Sequence, residues 1–167
     1  VFFYDNYVLN VFHHSTTSVG VDCHLRSTGA RCTGYDPTQT TGANHSRFDG
    51  YMAGDRAGGW VNGNTGKAYV FSVDNTTGSA NRYKPGALCF DMNNTPPTNC
   101  GFTPLSSNTN VTAYAPLANA EGIGGRLFGV ESTNKQLLCY DPLTNAACTN
   151  SPITIDGSST TPDYQVY

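Results

Sequence analysis

The chain has 167 residues and a mass of 17.8 kDa, which is enough for one domain with a core and too little for two. Charged residues make up 13% of the chain and the net charge is -3, whereas an ordinary soluble domain is about 25% charged. Nucleic-acid binding needs clustered lysine and arginine, and a membrane-spanning helix needs about 18 apolar residues in a row. The sequence has neither, so its surface must be built mainly from neutral polar residues.

The first six residues form an apolar, aromatic segment, Val1-Phe2-Phe3-Tyr4, followed by Asp5 and Asn6. A first residue other than methionine indicates a mature product whose signal peptide has been removed. Such a segment at a free N-terminus must be buried to keep the protein soluble. It can be buried in its own subunit, or it can add as a strand to a neighbouring subunit.

Three segments with β-branched and aromatic residues follow in the chain and predict strands. No window of the sequence has the periodicity of an amphipathic helix. The predicted fold class is therefore all-β. The predicted strands are Tyr7–Phe12, Ala68–Val73 and Arg126–Val130.

Six cysteines fall in three close pairs, one pair after each predicted strand. The gaps of eight, ten and eight residues are too wide for a zinc knuckle, so the spacing favours disulfides between neighbours, formed outside the cytosol. Each pair encloses a polar turn, in which Gly29, Asn94 and Asn145 can adopt a positive φ. We therefore expect three stapled β-hairpins. The pairs are Cys23 with Cys32, Cys89 with Cys100, and Cys139 with Cys148.

The strands and hairpins combine into three repeats, at about 7–35, 67–105 and 126–155, within a single β domain of residues 7–155. Residues 1–6 precede this domain. Residues 156–167 form a polar tail that ends in Tyr-Gln-Val-Tyr and can close a sheet or contact another subunit. We expect antiparallel, blade-like repeats that form an incomplete barrel or a propeller-like domain.

Several sequence motifs in the repeats resemble motifs of large secreted bacterial proteins with propeller-like, disulfide-pinned blades. The resemblance covers residues 7–155 and implies the fold and the compartment, while it leaves the function open. The motifs are Val11-Phe-His-His14, Asp22-Cys-His-x-x-x-Thr-Gly-x-x-Cys-x-Gly-Tyr35, Leu88-Cys-Phe-Asp91 and Cys100-Gly-Phe-Thr-Pro-Leu105.

Three repeats are too few to close a propeller of four to eight blades, so the predicted sheets leave open edges. Insertion of Val1, Phe2, Phe3 and Tyr4 into a neighbour's sheet would be head-to-tail and would build a filament. In this design the chain is similar to donor-strand pilus subunits, although no pilin signature matches it residue by residue. We expect a homopolymeric, extracellular structural protein.

The alternative is a carbohydrate- or surface-binding module of a larger secreted adhesin. Aromatic residues among Asn, Gly and Asp can stack on sugars, and Tyr51 and Trp60 lie in such a stretch. The same aromatic residues can instead fill the core between sheets.

The histidines and carboxylates that could bind a metal or act in catalysis form no recognisable catalytic motif. His13 and His14 are adjacent on a strand, so they point to opposite faces, although either could face His24 across strands and bind a metal. Recurring aspartates in the hairpins could bind calcium, but an aspartate at a turn usually accepts a backbone hydrogen bond. We expect no enzymatic activity, metal or cofactor. The carboxylates considered were Asp22, Asp91 and Asp141 for calcium, and Asp49, Asp55 and Glu131 for glycoside hydrolysis.

Overall fold

The computed structural model of the chain describes residues 2–4, 6–15, 18–33, 42–43, 45–47, 59–62, 65–94, 98–107, 121–123, 125–131 and 134–155. All regular structure in these ranges is β-strand, arranged in three antiparallel sheets. The all-β prediction is confirmed. Within the same ranges, no sheet closes into a barrel.

Sheet A contains the N-terminal segment and the first predicted hairpin, in the order β1-β2-β3-β4. The valines and aromatic residues of its second strand favour the extended backbone. Its strands are β1 (Phe2–Tyr4), β2 (Tyr7–Ser15), β3 (Ser18–Leu25) and β4 (Gly42–Ala43).

Sheet B has the order β5-β7-β8-β9, and the short strand β6 pairs with β7 on the same edge as β5. The predicted strand at residues 68–73 is the centre of this sheet. Its strands are β5 (His45–Arg47), β6 (Gly59–Asn62), β7 (Lys67–Asp74), β8 (Pro85–Asp91) and β9 (Thr98–Pro104).

Sheet C has the order β10-β11-β12-β13, and β14 pairs with the start of β12. Gly125, at a φ of 77°, forms the turn between β10 and β11. The strands are β10 (Glu121–Ile123), β11 (Arg126–Glu131), β12 (Gln136–Asp141), β13 (Ala146–Ala147) and β14 (Ile153–Thr154).

All three predicted disulfides are present, and no cysteine is free. Gly29 and Asn145 have the positive φ expected of their turns, at 71° and 53°. Each bond closes a loop of about ten residues, which stabilises the fold by roughly 3 kcal/mol on the chain-entropy model. Three disulfides are typical of a non-reducing compartment.

Each sheet has two distinct faces. We call the face that carries Cys23, Cys89 or Cys139 the disulfide face, and the other one the opposite face. In sheet B both faces are buried, since β7 is buried at every position after Lys67 and β8 at every position before Asp91. Sheet B is therefore the middle layer of the stack.

In the core between sheets A and B, the disulfide face of one sheet packs against the opposite face of the other. The disulfide face of sheet A packs its buried Cys23–Cys32 bond, with Leu25 beside it, against the opposite face of sheet B. The residues that sheet B contributes to this core are Ala68, Val70, Leu88 and Phe90.

The core between sheets B and C repeats this arrangement. Here the disulfide face of sheet B, with Cys89, packs against the opposite face of sheet C. The Tyr140 hydroxyl donates a hydrogen bond to Asn145 Oδ1 at 2.8 Å, and burial raises the pKa of Tyr140. The other members of this core are Tyr69, Phe71, Val73, Ala87 and Leu105 of the middle repeat, and Leu127 and Leu138 of sheet C.

The closest fit between sheets B and C is at Gly129 of β11. A Cβ atom built at Gly129 would lie 2.3 Å from Cε2 of Phe71, whose ring is almost fully buried. The ring of Phe71 therefore occupies the space that a side chain at position 129 would need.

We expect Gly129→Ala to lower the free energy of unfolding by about 1–3 kcal/mol, because it overpacks this contact. In a strand without such a contact, alanine in place of glycine would stabilise by roughly 0.5–1 kcal/mol. Urea unfolding of Gly129→Ala, Phe71→Leu and the double variant measures the effect. The double variant should lose less stability than the sum of the single variants, and additive losses would contradict the packing.

Candidate functional site

The N-terminal strand lies at the edge of sheet A. β1 pairs antiparallel with β2, in the register Phe2↔Leu9, Phe3↔Val8 and Tyr4↔Tyr7. The side chains of Phe2, Phe3 and Tyr4, and all of Val1, lie outside the described residues. β1 is thus held to its own sheet by three residue pairs and a two-residue turn.

Two further contacts position this strand. The carbonyl oxygen of Asn6, in the turn after β1, accepts a hydrogen bond from the backbone N–H of Arg26 at 2.8 Å. β1 also lies next to β6 of sheet B, and β6 lies next to β10 of sheet C. The turn at Asn6 is therefore anchored to the first hairpin, and β1 contacts both β2 and β6.

Other described sheet edges are short or irregular. β4, β13 and β14 have two residues each. β9 is longer, but its register with β8 shifts between Cys89 and Phe90, next to Gly101 at a φ of 122°. Short and bulged edges resist pairing with another chain. The edges formed by β4, β9, β13 and β14 are therefore poor sites for strand addition.

The first hairpin carries a cluster of three charged or titratable side chains, Asp22, His24 and Arg31. His24 Nδ1 is 3.0 Å from the carbonyl oxygen of Gly29, and His24 Nε2 is 3.0 Å from Asp22 Oδ2. Arg31 Nε donates to the other Asp22 oxygen, at 3.2 Å. The cluster lies on the opposite face of sheet A, away from sheet B, and the His24 side chain is 39% exposed.

Both ring nitrogens of His24 face oxygen atoms that only accept hydrogen bonds. The protonated ring can donate to both acceptors, whereas the neutral ring can donate to one. The pKa of His24 is therefore raised above 6.5, first by the Gly29 carbonyl and then by Asp22, against smaller opposing effects of desolvation and of Arg31.

The aspartates of the other two hairpins form turns, as the sequence predicts. Asp91 Oδ1 accepts a hydrogen bond from the backbone N–H of Asn93 at 3.0 Å. Asp141 Oδ1 accepts from the N–H of Leu143 at 2.9 Å. Asp141 Oδ2 also lies 3.6 Å from Arg126 Nε, whereas the Asp22 carboxylate binds two side chains, His24 and Arg31.

Glu131, one of the carboxylates considered for hydrolysis, is fully buried at the end of β11. Its Oε2 accepts hydrogen bonds from the backbone N–H and the Nδ2 of Asn134, at 3.0 and 2.8 Å. These bonds close the turn before β12. The other two carboxylates considered with it, Asp49 and Asp55, lie outside the described residues.

The remaining predicted site residues stay predictions. Tyr51 lies outside the described residues, and for Trp60 only the backbone is described, in β6 opposite Tyr69. The side chains of His13 and His14 are likewise outside them. Among the residues that the structure describes, no three His, Cys, Asp or Glu side chains are grouped as metal ligands would be.

The joint arrangement of Asp22, His24 and Arg31 was not predicted from the sequence. A signal for it was present, since alternating residues of one strand share a face and the two cysteines place Arg31 across the hairpin. In the structure, His24 and Arg31 form an antiparallel β-bridge and therefore lie opposite each other across the hairpin.

Comparisons of the chain with protein-family models, curated proteins and solved structures found no match. In the part of the chain that the structure describes, no helix is long and apolar enough to cross a membrane.

We expect His24 to titrate above pH 6.5 in the folded protein. Its contribution to stability is fully present below the pKa of the unfolded chain and is lost as the pH rises through the higher pKa of the folded state. Asp22→Asn should lower the pKa without abolishing the shift, because the Gly29 carbonyl remains. NMR titration of the imidazole protons, assigned with His24→Gln, measures this. A pKa at or below 6.5 would contradict the cluster geometry.

Proposed function

We propose that the chain is the structural subunit of an extracellular, pilus-like filament, which it builds by exchanging its N-terminal strand between subunits. The observation that carries this proposal is the position of β1. It lies at the edge of its sheet and is held to β2 by three residue pairs.

In the proposed exchange, β1 leaves its own β2 and pairs with β2 of the next subunit. The same three residue pairs form in the filament as in the monomer, so the exchange itself conserves the ladder hydrogen bonds. Short hinge turns favour this kind of exchange, and the turn here has two residues. Because each subunit donates one strand and accepts another, the contact is head-to-tail and can propagate.

The described residues of the two cores that join the sheets lie at position 23 and beyond, and all three disulfides lie outside β1. A subunit that has released its first strand therefore keeps its described cores and its covalent links. This is the property that a subunit needs in order to exchange a strand while folded.

Composition and disulfides also support a secreted filament. Only 13% of the residues are charged, and subunit contacts are easier to bury when they contain few unpaired charges. Disulfides persist in a non-reducing environment, and the three present here limit unfolding of the subunit while strands exchange.

Deletion of residues 1–6 should abolish the polymer and leave a folded monomer. Sedimentation velocity should show a single species of about 18 kDa, and the far-UV circular dichroism should remain that of a β protein. Persistence of the polymer in the deletion variant would refute the proposal.

A pair of cysteines, Phe3→Cys with Val8→Cys, provides a matched test in the full-length chain. These positions face each other one pair beyond the turn, where antiparallel strands have Cα atoms about 4.5 Å apart, a distance that a disulfide can bridge. An intrachain bond should prevent assembly, and an interchain bond should give a disulfide-linked ladder on a non-reducing gel. Fibres whose subunits carry the intrachain bond would contradict strand exchange.

A further inference from the structure

The turn at Asn6, between β1 and β2, is tied to the first hairpin by one backbone hydrogen bond. We call this turn the hinge. The N–H of Arg26 donates to the carbonyl oxygen of Asn6 at 2.8 Å. A strand can leave a hairpin only if the backbone of the connecting turn rotates about its φ and ψ angles. Because the bond from Arg26 fixes the direction of the Asn6 carbonyl, it restrains this rotation.

Arg26 belongs to the turn that follows β3, at residues 25–30, which we call the hairpin turn. Its backbone bonds run from the N–H of Leu25 to the carbonyl of Ala30, at 2.7 Å, and from the N–H of Gly29 to the carbonyl of Leu25, at 2.8 Å. Residues 26–30 are all exposed, so the conformation of the turn depends on its hydrogen bonds. A contact that restrains the hairpin turn therefore also restrains the hinge.

The ring of His24 makes such a contact. Nδ1 lies 3.0 Å from the Gly29 carbonyl oxygen, and Nε2 lies 3.0 Å from Asp22 Oδ2. The protonated ring donates to both oxygens, whereas the neutral ring has one N–H. Since a charged acceptor forms the stronger hydrogen bond, the neutral ring keeps its proton on the side of Asp22. The Nδ1 lone pair then faces the Gly29 carbonyl, and the contact with the hairpin turn is lost.

The described charged groups around this ring are Asp22 on its own strand, Arg31 across the hairpin and Arg26 on the exposed turn. Arg31 shares the Asp22 carboxylate with the ring. On β2 the ring lies opposite Val8, which is neutral. The two acceptors raise the pKa of His24 by more than desolvation and Arg31 lower it. The ring is therefore still charged at pH 6.5 and becomes neutral at higher pH.

We propose that His24 is a pH-sensitive switch for the hinge of β1. The charged ring holds the hairpin turn and, through the hydrogen bond from Arg26 to Asn6, the hinge, whereas the neutral ring releases both. Acid therefore keeps β1 in its own sheet, and a rise in pH frees it to pair elsewhere. The switch rests on the described contacts of sheet A, while its effect on assembly rests on the proposed strand exchange.

Amide hydrogen exchange of Arg26 in the unassembled full-length chain measures the state of the hinge. Its rate is divided by the intrinsic rate at each pH, from about pH 6 to pH 8.5, which gives a protection factor across the range in which histidine titrates. We expect protection to fall about tenfold as the pH rises, which corresponds to the loss of roughly one hydrogen bond. The midpoint should match that of the His24 imidazole protons. Constant protection while the imidazole titrates would overturn the proposal.

Two variants separate titration from general loosening of the hairpin turn. His24→Gln keeps a hydrogen-bond donor that does not titrate, so protection of Arg26 should not depend on pH in this range. Thr28→Ala removes the hydroxyl that accepts a hydrogen bond from the Ala30 N–H at 3.2 Å. It should lower protection at every pH and leave the midpoint unchanged. A pH dependence that persists in His24→Gln would contradict the proposal, because another group would then cause it.

Polymer growth, followed by light scattering at about pH 6 and pH 8, measures the effect on assembly. Wild-type chain should grow several-fold faster at the higher pH. His24→Gln undergoes all the other titrations and should grow equally fast at both. Equal growth of the wild type at both pH values would overturn the control of exchange by His24. Absence of polymer at either pH would refute the proposed filament instead, and the switch is then decided by the protection of Arg26.

Discussion

The structure depends on one repeated contact, in which the disulfide face of one sheet packs against the disulfide-free face of the next. Both cores have this composition, with Cys23 and Cys32 against Leu88 and Phe90 in one, and Cys89 against Leu138 in the other. Burying a large apolar side chain stabilises by about 1.5–3 kcal/mol, so these cores and the three disulfides together stabilise the described sheets. The repeated contact also gives the stack a direction, and its two ends differ.

The strands and disulfides could be predicted from the sequence because they leave local signals. β-Branched and aromatic runs marked β2, β7 and β11, and cysteines nine to eleven positions apart marked the hairpins. The short strands β6 and β10 were not predicted, since three or four residues such as Glu121–Ile123 carry too little pattern. They are fixed by pairing with a longer neighbour.

The layering could not be predicted from local patterns. A strand that is buried on both faces, as β7 is, has no polar positions to show which residues face which sheet. The contact of Phe71 with Gly129 joins residues 58 positions apart and becomes visible only when the sheets are stacked. The cluster of Asp22, His24 and Arg31 was also missed, although the alternation of residues along β3 and the pairing of the cysteines carry a signal for it.

The position of β1 suggests how the proposed filament grows. β1 lies at the edge of sheet A beside β6 of sheet B, and the three disulfides lie outside it. In the proposed filament, growth uses this edge strand, while the disulfides hold the rest of each subunit together.

Electron microscopy of the purified, unheated, full-length chain tests the proposed function most directly. If β1 passes from subunit to subunit, the images should show regular unbranched fibres of constant width. Dispersed particles of about 18 kDa at the same concentrations would contradict the filament and would place β1 permanently in its own sheet.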